Sequence, residues 1–143
     1  MKDKLFGLWQ LDLWEITNDK GEVRVPLGEG GSGYLFYLPN EYMSVHLMSP
    51  TFLDFKNIAF NQQAELTDIE LQKFMGSYFS YTGKYHIKAK SVHHHLEMCS
   101  IPSLIGTTLI RDYQLENDQL ILTHKTEFNQ SNDNSTLTWH KIN

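Results

Sequence analysis

Apolar and polar residues alternate with a period of two along several short stretches of the chain, each bounded by residues that favour turns. In the first, Trp9, Leu11 and Leu13 interleave with Gln10, Asp12 and Trp14, which predicts a strand over about Leu8 to Ile16. A glycine-rich passage, Gly28 to Gly33, leads into a second strand, Tyr34 to Leu38, and Pro39-Asn40 turns the chain into a third, Tyr42 to Met48. Further strands are expected at about Tyr81 to Lys88, Ser91 to Met98, Gly106 to Leu115, Gln119 to Thr126 and Ser135 to Ile142, nearly all in hairpin succession. Glu116-Asn117-Asp118 and Asn129 to Asn134 carry turn chemistry between the last three. Glu22 to Val25 leaves room for a short extra strand.

One helix interrupts the series. Thr67-Asp68-Ile69-Glu70 has the spacing in which a Thr hydroxyl and a Glu carboxylate satisfy each other's free N–H groups. Leu71, Phe74, Met75, Tyr78 and Phe79 follow at helical intervals, an apolar stripe expected to lie on the sheet or over an opening. Ser49 to Leu66 forms a long connection with Phe52, Leu53, Phe55, Ile58 and Phe60, too apolar for a solvated linker. It reads either as an ordered lid or as a second small helix plugging the core.

An open sheet of short antiparallel strands has two exposed edges, and so few helical residues cannot cover one of its faces; closure removes both problems. The expected fold is therefore mainly β, an eight-stranded antiparallel up-and-down barrel with one helix and a long loop between the third and fourth strands, with a two-sheet sandwich as the alternative. No linker, repeat or compositional break divides residues 1–143, so one domain is expected.

Composition narrows the partners. The 143 residues carry 17 acidic and 12 basic side chains, and no Lys/Arg-rich run offers a path for a phosphate backbone, so nucleic acid is not expected. The longest apolar runs are strand-sized, so no membrane span is expected. The first residues reach Gly7 and Trp9 before any signal-like apolar stretch, and Cys99 is the sole cysteine; together these suggest a cytoplasmic protein.

Gly7-Leu8-Trp9 matches the G-x-W signature of lipocalins and related calycin barrels. Gly33 to Tyr37, Glu41 to Val45, Gly76 to Tyr85, His94 to Glu97 and Gly106 to Arg111 together resemble the bacterial and fungal lipocalin-like domain family, over nearly the whole chain. That resemblance implies a small β-barrel with an internal ligand cavity, and in some fungal settings a link to the processing of polyketide-like intermediates. It also implies a structural alternative for Arg111, since in such barrels an Arg commonly packs over the G-x-W Trp and closes one end.

Taking the more apolar face of each strand as inward, Trp9, Leu11 and Leu13 point in, as do Tyr85 and Ile87. Val92, Leu96 and Met98 carry His94 inward; Leu109, Tyr113 and Leu115 bring Arg111; Leu120 and Leu122 bring His124. A hairpin centred near Pro102 places His94 opposite Ile110, and one centred near Asn117 places Arg111 across from Thr123 or His124. His94, Arg111 and His124 are thus expected on one rung, able to bind a carboxylate, enolate or phenolate. The competing readings are a core His94 hydrogen-bonded to a Tyr and a solvent-exposed His124. Tyr78, Tyr81 and Tyr85 either present phenols to a cavity mouth or pack the core and rim.

His93-His94-His95 puts His93 and His95 on one face, but no third ligand comes at a recognisable spacing, so a solvated pair is favoured over a metal site. Gly28 to Gly33 lacks the Lys and the following helix of a phosphate loop, there is no G-x-S-x-G elbow, and Cys99 has no adjacent base. An inward His can ligate haem iron, yet no haem-attachment motif is present and no cofactor is expected. The leading functional expectation is binding of a small hydrophobic or amphipathic molecule, with Tyr78, Tyr85, His94, Arg111, Tyr113 and His124 contacting it. The alternatives are a cofactor-independent isomerase, cyclase or dehydratase with His94 and Arg111 as catalytic residues, and a filled barrel serving as a protein-interaction module.

Overall fold

The computed structural model describes residues 2–59, 61, 65–128 and 131–143. Its strands are β1 (Gly7–Thr17), β2 (Val23–Arg24), β3 (Ser32–Tyr37), β4 (Tyr42–Met48), β5 (Tyr78–Lys88), β6 (Ser91–Cys99), β7 (Thr108–Glu116), β8 (Gln119–Phe128) and β9 (Ser131–Ile142). β1 pairs with β3 on one side and β9 on the other, and β3 to β9 follow in chain order, all antiparallel, so the sheet closes into an eight-stranded up-and-down barrel. β2 adds a ninth, short strand to the far end of β1, where Ile16 faces Arg24. Closure satisfies the backbone groups that an open edge would leave bare.

β5 to β6 and β7 to β8 each turn through a left-handed residue: Asn117 at φ 55° suits that conformation, whereas Ala89 at φ 56° adopts it without the side chain that favours it. Between β8 and β9 the outcome differs: Asn129 and Gln130 of the expected turn lie outside the described residues, and from Ser131 the chain is already β9. There Phe128 faces Ser131 and the ladder to β8 continues. Phe60 of the long connection also lies outside the described residues.

Two β-bulges change which side chains point inward. Leu11 pairs with Trp139 and Leu13 with Thr138, so Asp12 is an extra residue in β1. Leu13, expected inside, is 41% exposed, and Trp14 turns inward in its place. In β6, Leu96 pairs with Gly83 and Met98 with Thr82, which makes Glu97 the extra residue and leaves Met98 70% exposed. Gly83 receives this second bulge: a Cβ there would overlap the His95 carbonyl oxygen.

The core is heavy in aromatic side chains. Trp9, Tyr37, Tyr85 and Trp139 are essentially fully buried together with Leu35, Met43, Val92, Leu96 and Leu120. Over the Trp9 ring, 5.3 Å from its centroid, lies Lys141 Nζ, the position the family resemblance offered to Arg111. Trp9 Nε1 donates to the Leu5 carbonyl, 2.9 Å away, which secures this end.

Helix α1 (Asp68–Gly76) begins with the expected capping box, Thr67 Oγ1 accepting from Glu70 N and Glu70 Oε1 accepting from Thr67 N. It ends earlier than the stripe of apolar residues, because Tyr78 and Phe79 already belong to β5. The stripe itself does not bury: Leu71 and Met75 are exposed, and only Phe74 packs, stacked on Phe52 at 5.6 Å and edge-on to Phe55 at 5.4 Å. Phe52 and Phe55 come from a 3-10 helix, Pro50–Phe55, inside the long connection, and Phe52 also touches Tyr78. No helix among the described residues is long and apolar enough to cross a membrane.

Candidate functional site

Away from the Trp9 end, the barrel encloses a cavity of about 60 Å³. Leu35, Val45, Leu47, Phe79, Leu122 and Leu137 form its apolar walls, and polar atoms enter from Trp14, Tyr81, His94, Arg111, His124, Ser135 and Trp139. Among the described residues, no lining residue is a carboxylate.

The rung expected from the sequence is present with one correction. His94 pairs with Leu109, and not with Ile110, which is 52% exposed. Directly opposed residues share a face, so an inward His94 requires an inward partner, and Arg111 lies two positions further along that same face. Asp112 pairs with Thr123, which sets Arg111 at the level of His124, and His124 pairs with Ser135. His94, Arg111 and His124 all line the cavity.

Tyr78, Tyr85 and Tyr113 do not line it. Tyr78 lies on the outer side, its hydroxyl 2.7 Å from His46 Nδ1. Tyr85 points inward nearer the other end, where its hydroxyl donates to the Leu38 carbonyl at 2.9 Å and its ring tilts against Tyr37. Tyr113 is half-buried against the core. The tyrosines at the site are Tyr37, which the sequence reading did not single out, and Tyr81.

His94 is clamped between them. Tyr37 Oη stands 2.7 Å from Nε2 and Tyr81 Oη 2.7 Å from Nδ1. A neutral imidazole offers one donor and one acceptor, so one phenol donates to the ring and the other accepts from it. Neither phenol has another hydrogen-bond partner among the described residues, but Tyr81 lines the cavity and Tyr37 does not, which favours the tautomer in which Tyr37 donates to Nε2, Nδ1–H donates to Tyr81, and the Tyr81 O–H faces the cavity. Burial is the main force on all three groups: it pulls His94 down to about 3, with Arg111 adding to the effect, pushes Tyr81 up to about 12, and raises Tyr37 well above the ordinary phenol range. At neutral pH the cluster carries no charge of its own.

Charge comes from Arg111. It makes no ion pair among the described residues, and its one hydrogen bond is a long 3.4 Å contact from Nη1 to the Ile110 carbonyl. Burial lowers its pKa, while Tyr81 and Tyr37 raise it. His124 is held down to about 4, by burial first and by Arg111 second. Trp139 Nε1 and His124 Nδ1 are buried with no partner among the described residues, and Trp14 Nε1 donates to Ser135 Oγ at 2.8 Å, leaving the serine hydroxyl proton free to donate elsewhere. Among the described residues, the interior thus gathers a cation and several N–H and O–H donors around little space and no anion.

The outward histidines form a different group. His86 of β5 joins His93 and His95, with ring centroids 4.6 and 4.9 Å away, and His95 bridges His86 Nδ1 at 2.9 Å and Thr108 Oγ1 at 2.7 Å. Among the described residues, no group of three or more His, Cys, Asp or Glu is arranged to hold a metal ion.

A closed eight-stranded up-and-down barrel with a small internal cavity places the protein among the calyx-shaped β-barrels. A family model described as a lipocalin-like domain matches residues 6–142, and the chain belongs to that family. No curated protein matches the sequence.

Proposed function

We propose that the barrel binds a small amphipathic molecule through an anionic oxygen group, a carboxylate or an enolate, received in the cavity by Arg111. The observation that carries this reading is the unpaired Arg111 guanidinium facing an interior whose unpartnered Trp139 N–H is also a donor. A half-buried cation with no counter-ion among the described residues carries a desolvation cost, and an anionic ligand offsets that cost. Tyr81 O–H and Ser135 O–H add donors at the same place, and His94 acts by orienting Tyr81.

The reading takes residues 1–143 as one binding unit, and the lone Cys99 fits a reducing compartment such as the cytoplasm. General acid–base catalysis by His94 is less well supported, since both ring nitrogens are committed to tyrosines and its pKa is near 3. Isothermal titration with benzoate and short aliphatic carboxylates tests the proposal. Wild-type protein is expected to bind, and Arg111→Met to lose at least about tenfold in affinity, the worth of one charge-assisted hydrogen bond. Equal affinities in the two proteins would refute the role of Arg111.

A further inference from the structure

The inner cavity, at about 60 Å³, has room for a head group and little else. Pockets that enclose a whole small ligand run to roughly 300 Å³ or more. The rest of an amphipathic molecule therefore needs another place to lie.

Such a place adjoins the cavity. The bulge in β1 and the segment after β2 form an outer cleft of about 360 Å³ whose apolar surface comes from Leu11, Leu13, Val25 and Leu27. Leu13 and Val25 are 41% and 42% exposed, and Leu13 is outside because the bulge puts it there. Trp14 is the one residue shared by the linings of cleft and cavity. Its indole is held on the cavity side by one hydrogen bond, to Ser135 Oγ.

We infer, resting on the anion-binding reading above, that cleft and cavity are two halves of one site for an apolar monocarboxylate, with the carboxylate at Arg111, the tail along Leu13 and Val25, and Trp14 as the wall between them. Charge fixes the direction of insertion. Asp12 and Glu29 lie in the cleft lining, whereas the described residues lining the cavity include Arg111 and no carboxylate, so the anionic head goes inward and the tail stays out. Rotation of Trp14 exchanges its bond to Ser135 for a contact along the tail, and the Ser135 hydroxyl, which only accepts from Trp14, donates to the head.

The experiment is titration of straight-chain carboxylates from butyrate to decanoate into wild type, Arg111→Met, Leu13→Asp and Val25→Asp. Both aspartate variants alter exposed positions, so either serves if the other folds poorly. In wild type, affinity is expected to rise about two- to fourfold per methylene until the cleft is filled. Leu13→Asp or Val25→Asp is expected to flatten that rise, while Arg111→Met weakens every member of the series. A rise that persists unchanged in both aspartate variants, with Arg111 dependence intact, overturns the cleft assignment alone. If no carboxylate binds, or Arg111→Met has no effect, the anion-binding reading fails and takes the cleft assignment with it.

Discussion

Tyr37 Oη lies 2.7 Å from His94 Nε2, and this is the one hydrogen bond the buried phenol makes among the described residues. The pair joins β3 to β6 across the barrel interior, two strands that share no ladder. Replacing Tyr37 with Phe keeps the ring and removes the donor, leaving the imidazole acceptor buried and unmatched. We expect Tyr37→Phe to fold with a loss of about 1–3 kcal/mol, read from urea unfolding as a lower midpoint at unchanged slope. A midpoint equal to that of wild type would mean that Nε2 has found another donor.

Stability should fall as the solution is acidified through the histidine range. The folded pKa of His94, about 3, is far below its ordinary 6.5, so as pH drops the unfolded chain takes up this proton first. The contribution is complete above about pH 6.5 and is lost progressively as pH falls toward 3, at a slope near 1.4 kcal/mol per pH unit. His124 acts with the same sign between 6.5 and about 4. Glu41 and Glu70 also have lowered values and lose their contributions only as pH falls below about 4.5, so the interval from pH 5 to 6.5 isolates the histidines. His94→Gln should have a shallower dependence there; parallel curves would sink the assignment.

Arg111 is predicted to trade stability for binding. Without ligand its charge is half-buried and unpaired, so Arg111→Met, of comparable length and apolar, should raise the stability of the empty protein by about 1–4 kcal/mol. Calorimetric melting of both proteins, with and without carboxylate, checks this. The variant should melt higher when empty and gain less from ligand than wild type does. A variant that melts lower when empty would show that the guanidinium already has a stabilising partner.

Gly83 tolerates no side chain. A Cβ would overlap the His95 carbonyl oxygen and stand 2.8 Å from its carbon, and both are backbone atoms fixed by the β6 bulge. Gly83→Ala should cost more than about 4 kcal/mol, visible as loss of cooperative unfolding or of soluble expression. Normal melting would require the bulge to have moved.

Much of the architecture was legible because alternation and turn chemistry act locally. β4 came out with its observed ends, Tyr42 to Met48, and the turn at Asn117-Asp118 fixed the β7–β8 register well enough to place Arg111 beside His124. Leu13 and Met98 were misassigned for one reason: pattern counting assumes each residue advances the pleat by one step, and a bulge spends an extra residue without doing so. Tyr37 escaped notice for another. It sits in Tyr34-Leu35-Phe36-Tyr37-Leu38, where an unbroken apolar run hides which phenol is inside, and its partner is 57 residues away on a strand that no hairpin relates to β3. The helix stripe failed because helical spacing continues past Gly76 into residues that the β4–β5 ladder claims, with Leu47 facing Phe79 and Met48 facing Tyr78.

The two bulges also bear on where the chain can change length. Removing one residue from a regular strand turns every later side chain to the wrong side of the wall. Asp12 and Glu97 are exceptions: delete either, and the residues on both sides keep their present cross-strand partners, so Leu11 stays opposite Trp139 and Leu13 opposite Thr138, or Leu96 opposite Gly83 and Met98 opposite Thr82. At these two points the barrel holds slack, and a shortened gene product would still close with the same inside and the same outside.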